Sequence, residues 1–235
     1  MIRSKIFGIV PLRKGSIRLK NKNLKKIFSK RLIDYTIEAI TSSKYLNEAV
    51  ITTDYESVIK TSKNNGTIKT IKRPKYLCTS NASIINVINH ALKRIKKNYN
   101  ILPENLILLQ PTSPFRTSKD IDQAIKIFNE SNKKSLISIS KPLNSIDDQI
   151  LIQNNKYEFL KKNIPKKFKN SKNYFIDGSI YIINTNYFLK KQILWDKNSI
   201  LFKIKQSHSI DIDTNFDLEL ARSLAYYSKI NSKIF

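Results

Sequence analysis

A loop near the start of the chain combines glycine, serine and several cations, which is the composition of a phosphate-binding site. The loop spans residues 11–23 and follows a short apolar run. Gly15 lets the backbone approach an oxyanion closely, and Ser16 adds a hydroxyl donor. The cations Arg13 and Lys22 can neutralise a diphosphate or a triphosphate. The alternative is a solvated basic loop, because basic residues are common throughout this chain.

A second loop, at residues 110–117, has the composition of a site for a polyhydroxylated ligand. Two prolines fix its backbone, and its side chains offer an amide, three hydroxyls and a guanidinium. The alternative is an ordinary turn from a strand to a helix, with Thr117 or Ser118 as the helix cap. Thr117 and Asp120 have the spacing of a capping box at the start of that helix.

Two aspartates separated by one residue, Asp211 and Asp213, have the spacing of a cation site. Residues i and i+2 of an extended segment point to the same side, so both carboxylates can reach one hard cation. The pair stands out because the chain has 18 acidic residues against 43 basic ones. The alternative makes Asp213 or Thr214 the N-cap of the following helix, which leaves Asp211 without a role.

Short apolar runs alternate with helical patterns along most of the chain. The runs are rich in isoleucine and too short for helices, so they predict strands at residues 6–10, 49–52, 106–110, 136–140 and 179–183. Apolar stripes between them predict helices, for example at residues 33–40, 84–95 and 121–128. This order predicts an α/β fold, a mostly parallel Rossmann-like sheet with helices on both faces. Ligands bind beyond the carboxyl ends of such strands, and the first loop begins at one of these ends.

Residues 141–175 interrupt the alternation. The segment is polar, dense in lysine and asparagine, and contains Pro142 and Pro165 with one short apolar piece, Ile150 to Ile152. Either a disordered insertion or a protruding hairpin or arm, at about residues 142–174, accounts for this pattern.

The composition limits the class of protein. The chain has 235 residues, 40% of them hydrophobic, which favours one domain over residues 1–235. The net charge is +25, but the lysines are spread along the chain, so we expect solvated faces and no nucleic-acid partner. The single cysteine, Cys78, excludes an intramolecular disulfide and favours a reducing cytoplasm. No apolar run approaches the roughly 18 residues of a membrane span, so we expect a soluble protein without a membrane partner.

Taken together, these motifs resemble those of the cytidylyltransferases that activate acidic nine-carbon and eight-carbon sugars, most closely the N-acylneuraminate cytidylyltransferases. The resemblance runs over essentially the whole chain, at residues 13–23, 50–54, 73–74, 82–83, 90–92, 108–117, 177–182 and 211–214. It implies a nucleotide-diphospho-sugar transferase fold. It also implies that the anomeric hydroxyl of a 2-keto-3-deoxy sugar acid attacks the α-phosphate of CTP, so that pyrophosphate leaves.

The resemblance also implies roles for individual residues. It assigns the nucleotide to Leu12, Arg13, Gly15, Ser16, Lys22, Asn23, Arg73, Ala82 and Ser83. It assigns the sugar to Gln110, Thr112, Ser113, Asp177, Gly178 and Tyr181. Asp211 and Asp213 fall on the Mg²⁺ ligands, and with Arg13 and Lys22 they make up the implied catalytic set.

Four positions depart from the pattern of the family. Ile17 stands where the family usually has lysine, Lys20 where it has proline, Ile84 where it has serine, and Asp177 where it has asparagine. One phosphate cation is therefore missing or relocated, and Arg18 is the candidate replacement.

The identity of the acceptor consequently stays open. It can be a sialic acid, a related nonulosonic acid or an octulosonic acid. Another base or a sugar phosphate is a further alternative. An RNA-binding module is a different class of function, but it needs an aromatic stacking surface, whereas tyrosine and phenylalanine are scattered through the apolar patterns of this chain.

Members of the family dimerise through an insertion at the place of the arm. The resemblance therefore implies a homodimer in which the arm packs on a second subunit. Lysines of the arm, Lys166 and Lys167 among them, would then supply positive charge to the carboxylate of the sugar.

Overall fold

A seven-stranded sheet lies at the centre of the fold in the computed structural model. The structure describes residues 6–61, 66–154, 156–160, 164–165 and 171–231. In chain order, the elements are β1 (Ile6–Leu12), β2 (Lys26–Ile27), β3 (Lys30–Arg31), α1 (Leu32–Thr41), β4 (Ala49–Thr53), α2 (Glu56–Thr61), β5 (Ile68–Lys72), α3 (Ile84–Tyr99), β6 (Asn105–Leu108), α4 (Ser118–Asn129), β7 (Ser135–Ser140), β8 (Ile150–Gln153), β9 (Lys156–Phe159), β10 (Phe175–Asn184), α5 (Thr185–Lys191), β11 (Ile200–Lys203) and α6 (Asn215–Asn231).

The strand order of the sheet is β11-β7-β10-β6-β1-β4-β5. Strands β5, β4, β1 and β6 are parallel to one another, and β11 is parallel to β7. Strand β10 runs antiparallel to both β6 and β7. The prediction of a mostly parallel α/β sheet is therefore confirmed. The sequence pattern did not predict the edge strands β5 and β11, in which lysine interrupts or follows the apolar residues.

Helices cover both faces of the sheet because successive residues of β1 point to opposite sides. Val10 and Leu12 pack in a buried cluster with α1 and α4. Phe7 and Ile9 pack in a second cluster with α3 and α5. A third cluster joins α6 to the β2–β3 hairpin and includes the buried Ile212.

The direction of the strands brings the predicted site segments to one edge of the sheet. Strands β1, β4, β5 and β6 all end at this edge, since they are parallel. Strand β10 begins there because it is antiparallel, and Tyr181 lies opposite Leu108 of β6. The pairing of β10 with β7 is irregular between Ile176 and Tyr181. In this stretch the side chains therefore do not alternate regularly between the two faces of the sheet.

The interrupting segment contains an antiparallel hairpin formed by β8 and β9. All residues of both strands are exposed, including Ile150, Leu151 and Ile152. Lys166 and Lys167 lie outside the described residues.

Among the helices of the described ranges, none is both long enough and apolar enough to cross a membrane.

Candidate active site

The loop at residues 13–23 is fastened at both ends. Leu12, the last residue of β1, is buried. Asn23 is also buried, and its side-chain nitrogen Nδ2 donates to the backbone oxygen of Arg13 at 3.0 Å. The backbone nitrogen of Lys14 donates to Oδ1 of Asp54, just beyond β4, at 2.8 Å. The loop is thereby held open beside the carboxyl ends of β1 and β4.

The same loop lies against the segment that follows β5. Nη1 of Arg13 donates to the backbone oxygen of Thr79 at 2.6 Å. A Cβ atom on Gly15 would stand 3.1 Å from the backbone oxygen of Cys78, so the glycine permits this close approach. Ser16, next in the chain, is partly exposed.

Three predicted nucleotide residues lie in or near the segment after β5. Arg73 is buried, and its Nη2 donates to the backbone oxygen of Thr52 at 2.6 Å. Burial lowers the pKa of Arg73 to about 10. The Oγ atom of Ser83 accepts from the backbone nitrogen of Ile85 at 3.2 Å and so caps α3, while Ala82 is partly exposed. The structure therefore gives Arg73 and Ser83 supporting contacts, and their predicted contact with a nucleotide stays a prediction.

The two aspartates lie on either side of a buried anchor. Ile212 is fully buried, and its backbone nitrogen donates to the backbone oxygen of Thr112 at 2.8 Å. Asp211 is exposed and Asp213 is partly exposed, as the same-side spacing predicts. Thr214 caps α6, because its Oγ1 accepts from the backbone nitrogen of Asp217 at 3.3 Å. The carboxylate of Asp213 is thus not used as the cap.

Two cations of the first loop contact Asp213. Nζ of Lys22 donates to Oδ1 at 2.6 Å, and the guanidinium of Arg18 pairs with Oδ2. Partial burial tends to raise the pKa of Asp213, but the hydrogen bonds and charges of Lys22 and Arg18 hold it below its ordinary value. The loop and the aspartate pair therefore form one site, although 191 residues separate Lys22 from Asp213.

Asp211 has the opposite electrostatic environment. Although it is accessible to solvent, the crowding of protein atoms around its carboxylate raises its pKa, and the charge of Asp213 adds to this effect. A hydrogen bond from Thr112 acts against both. Two carboxylates of unequal pKa therefore face the same loop of cations.

The donor set fits Mg²⁺, which is commonly held by one or two carboxylates together with substrate phosphates. Asp211 and Asp213 would supply those carboxylates. Among the described residues, no group of three histidine, cysteine or acidic side chains forms a cage for a metal ion. The remaining ligands would thus come from phosphate and water.

Three predicted sugar residues converge at the start of β10. Gly178 has a φ of +79°, in the left-handed region that favours glycine. A Cβ atom placed on it would lie 3.6 Å from Nε2 of Gln110 and 3.8 Å from the hydroxyl of Tyr181. The irregular pairing of β10 therefore brings an amide, a phenol and a partly exposed backbone turn together.

Asp177 lies beneath this turn. Its side chain is buried, and Oδ1 accepts from Oγ of Ser138 and from the backbone nitrogen of Ser179, each at 2.7 Å. Its Oδ2 is buried without a hydrogen-bond partner among the described residues. These contacts fix the shape of the turn, and the predicted contact of Asp177 with a sugar stays a prediction.

The loop at residues 110–117 turns most of its side chains inward. Thr112 and Ser113 are buried, and Thr112 donates to Asp211. Oγ of Ser113 has no hydrogen-bond partner among the described residues. Gln110 is partly exposed, unlike Thr112 and Ser113, the two other predicted sugar residues of this loop.

Arg116 holds the loop in place, a role that the sequence pattern did not predict. The residue is buried, and Nη1 donates to the backbone oxygens of Gln110 at 3.1 Å and Ser179 at 3.0 Å. Nη2 donates to Oγ1 of Thr36 at 3.0 Å. Burial lowers the pKa of Arg116 to about 10. The guanidinium thus ties the loop to β10 and α1 instead of facing a ligand.

A buried pair behind the aspartates was also missed. Nδ1 of His208 lies 2.8 Å from Oδ2 of Asp120, which also accepts from the hydroxyl of Thr117 at 2.7 Å. The predicted capping box of Thr117 and Asp120 is present. It extends through His208 to the segment that leads to Asp211.

A cavity of about 500 Å³ lies between α1, α6 and the residues just before α4. Its lining includes Phe28, Tyr35, Ala225 and residues 114–117 of the second predicted loop, but none of the residues that the resemblance assigns to the nucleotide, the sugar or the metal ion. The edge of the sheet, where the charged and polar groups converge, is therefore the better candidate for the chemistry.

Known proteins share this chain's sequence pattern and fold. The model of the family described as Cytidylyltransferase matches residues 7–231. The N-acylneuraminate cytidylyltransferase of Escherichia coli O18:K1:H7 (strain RS218 / NMEC) is 34% identical over 224 residues, which cover 94% of this chain. The matched part is 52% of that relative, so the chain spans about half of its length.

Two further matches cover nearly the full length of both proteins compared. The CMP-N,N'-diacetyllegionaminic acid synthase of Legionella pneumophila subsp. pneumophila (strain Philadelphia 1) is 30% identical over 234 residues, covering 94% of this chain and 96% of that protein. The solved structure of CMP:2-keto-3-deoxy-manno-octonic acid synthetase complexed with CTP has a TM-score of 0.71 at 16% identity, covering 96% of this chain and 100% of that one. At 16% identity, the match to this solved structure shows the fold alone.

Proposed function

We propose what this chain, which belongs to the cytidylyltransferase family and is a nucleotidyltransferase, transfers and to which acceptor. It transfers CMP from CTP to the anomeric hydroxyl of an acidic 2-keto-3-deoxy sugar. The observation that carries the proposal is the 2.6 Å contact between Lys22 and Asp213, which joins the loop of cations to the aspartate pair. Nucleotidyl transfer needs a group that neutralises the triphosphate beside carboxylates that hold a divalent cation.

The proposed step exchanges one bond at phosphorus for another. The anomeric oxygen forms a bond to the α-phosphorus of CTP, the bond from that phosphorus to the bridging oxygen of the β-phosphate breaks, and pyrophosphate leaves with the electron pair. The hydroxyl proton passes to solvent. Bound Mg²⁺ would supply positive charge at the phosphates.

The residues of the chain bind and orient the reactants. Arg13 and Lys22 neutralise the triphosphate, and the backbone nitrogen of Gly15 and the hydroxyl of Ser16 donate hydrogen bonds to it. The backbone nitrogen of Ser16 is not available, because it donates to the backbone oxygen of Lys14 at 2.9 Å. The segment at residues 73–83, which Arg13 contacts through Thr79, lies where the nucleoside would bind. Such catalysis depends on positioning and charge more than on covalent participation by the protein.

The acceptor would lie on the other side of the aspartates, against Gln110, Gly178 and Tyr181. An amide and a phenol can hydrogen-bond to sugar hydroxyls. The two relatives named for acidic sugars support a nonulosonic acid as the class of acceptor. An octulosonic acid or a sugar phosphate is the alternative within the same fold.

A pyrophosphate-release assay tests this function directly. The assay supplies CTP and Mg²⁺ with a panel of N-acylneuraminic, legionaminic, pseudaminic and 3-deoxy-octulosonic acids, and UTP replaces CTP as the control. We expect release with CTP and one or more of the nonulosonic acids. Release that occurs only with UTP or only with a neutral sugar phosphate would contradict the proposal.

We further propose that the working form is a homodimer in which the arm of one subunit packs on its partner. The support is the exposure of the short apolar piece of the arm: Leu151 is 54% exposed and Ile152 is 70% exposed. An isolated two-stranded hairpin is marginally stable in water, so packing against another surface would stabilise it. A two-fold arrangement buries both arms equally.

A further inference from the structure

Asp213 is paired with two cations that differ in how firmly they are held. The side chain of Lys22 is 12% exposed, whereas that of Arg18 is 66% exposed. Each cation takes one oxygen of the carboxylate, Lys22 at Oδ1 and Arg18 at Oδ2. Of the two, Arg18 is the one whose guanidinium can leave without breaking buried packing.

A divalent cation and the guanidinium of Arg18 compete for the same carboxylate. Mg²⁺ binds carboxylate oxygens directly and at short range. A guanidinium on Oδ2 blocks one of the two oxygens and repels the metal ion, because both carry positive charge. Entry of the metal therefore requires that Asp213 lose a cation, and the exposed pair is the weaker one.

The backbone of Arg18 limits where the freed side chain can go. The next residue, Leu19, is 6% exposed and packs in the cluster of α6 and the β2–β3 hairpin, so the chain is anchored there. Arg18 itself stands in the predicted phosphate loop, two residues after Ser16. Its neighbour Ile17 is 78% exposed and brings no charge. The guanidinium is therefore the cation that residues 16–19 can offer to an anion.

We propose that Arg18 occupies the carboxylate of Asp213 while the site is empty and moves to the β- and γ-phosphates of CTP when the metal ion binds. The inference rests on the proposed function for the identity of the anion. Arginine suits this exchange because its planar guanidinium matches carboxylate and phosphate oxygens in the same two-point geometry. One side chain then protects the empty metal site and later holds the leaving pyrophosphate.

This exchange predicts effects of opposite sign on two affinities. Removal of Arg18 frees Asp213, so the nucleotide-free protein should bind a divalent cation more tightly. The same removal deletes a phosphate ligand, so the protein should bind CTP more weakly. A merely structural role for Arg18 would weaken both affinities or leave both unchanged.

The test measures binding without turnover. Mn²⁺ is titrated into the nucleotide-free protein by electron paramagnetic resonance, and CTP is titrated calorimetrically with Mg²⁺ and no sugar. We expect Arg18→Ala to tighten Mn²⁺ binding by about threefold and to weaken CTP binding by about tenfold. Arg18→Lys should fall between wild type and Arg18→Ala in both titrations. The matched control Lys20→Ala removes an exposed cation from the same loop and should change neither affinity by more than about twofold.

A second variant tests whether charge at this place is what CTP needs. Ile17→Lys in the Arg18→Ala background should recover most of the lost CTP affinity if a cation beside the phosphates is sufficient. Unchanged CTP affinity in Arg18→Ala, or a fall in both affinities, would overturn the exchange. Failure of the wild type to bind CTP would instead overturn the proposed function, while the Mn²⁺ titration would still report the competition at Asp213.

Discussion

At the scale of single residues, Asp211 is the carboxylate whose loss should affect chemistry and not the fold. It is exposed, while the buried Ile212 holds the segment. We expect Asp211→Asn to reduce pyrophosphate release by at least about a hundredfold, because a ligand of the charge-stabilising metal is lost. The circular dichroism spectrum and melting temperature should stay close to wild type. Full wild-type activity in excess EDTA would contradict a role for a divalent cation.

Arg13 provides a second test at this scale. If it neutralises charge that develops on the transferring phosphate, Arg13→Ala should lower the rate on the order of 10³-fold. Lys14→Ala is the matched control, because the hydrogen bond of Lys14 to Asp54 comes from its backbone and survives the substitution. Equal losses in the two variants would favour the solvated basic loop. Steady-state kinetics with CTP as the varied substrate separates these outcomes.

Residue types and local spacing predicted part of the site. Asp211 and Asp213 could be found because same-side spacing is a property of three consecutive residues. The partners of Asp213 could not be found that way, since Arg18 is 195 positions away and its contact depends on the fold. Arg116 shows the same limit: its type suggested a ligand contact, but its contacts with Gln110, Ser179 and Thr36 show a guanidinium used for internal hydrogen bonds.

At the scale of elements, the irregular start of β10 carries the proposed acceptor contacts. Gly178→Ala should reduce the free energy of unfolding by about 1–2 kcal/mol, because alanine is strained at a φ of +79°. The expected kinetic effect is a higher KM for the sugar with little change in the KM for CTP. Gly66→Ala is the matched control, since a Cβ atom there meets nothing within 4 Å and no left-handed φ is involved. Equal effects in the two variants would contradict the role of the turn.

The capping box of α4 predicts a dependence of stability on pH. Burial alone raises the pKa of Asp120, but hydrogen bonds from His208 and Thr117 outweigh burial and lower it from the ordinary 3.8. A lowered folded-state pKa stabilises the fold above the ordinary value, and this contribution is lost as the pH falls through the folded-state pKa. We therefore expect the difference in unfolding free energy between wild type and Asp120→Asn to be largest near neutral pH and to shrink below about pH 4. Urea unfolding across this range measures it, with Glu130→Gln as the control, because Glu130 directly follows the same helix and its side chain is 65% exposed. A difference that grows on acidification would contradict the assignment.

Helices α1, α3, α4 and α6 and the inner strands followed from the sequence because their apolar periodicity is local, whereas the short helices α2 and α5 were not predicted. Strands β1, β4, β6 and β7 were predicted within a few residues, and the capping box of α4 was predicted from its spacing. Strands β5 and β11 lie at the two edges of the sheet, where one side of each strand is unpaired and a polar pattern is tolerated. The irregular pairing of β10 also escaped prediction, since a bulge depends on two neighbouring strands.

At the scale of the whole molecule, the exposed apolar piece of the arm, residues 150–152, predicts self-association. Light scattering should report about twice the chain mass of 27.3 kDa. Ile152→Glu should shift the protein toward monomer, because a charge placed at a packed apolar contact opposes association. The monomer should still bind CTP but turn over the sugar poorly, if the partner completes the sugar site. Tyr45→Glu, which changes a 45% exposed aromatic residue away from the arm, should leave the mass unchanged. A fully active monomeric wild type would contradict the proposed dimer.

The antiparallel direction of β10 has a consequence for the evolution of this protein. The loops proposed to bind the nucleotide follow β1, β4 and β5, whereas the proposed acceptor turn is the opening of a strand that enters the sheet from the opposite direction. Substitutions at residues 176–181 therefore alter one reactant's binding surface without rebuilding the other. In evolution, substitutions in this six-residue stretch can therefore change the acceptor, while the residues proposed to bind the nucleotide stay the same.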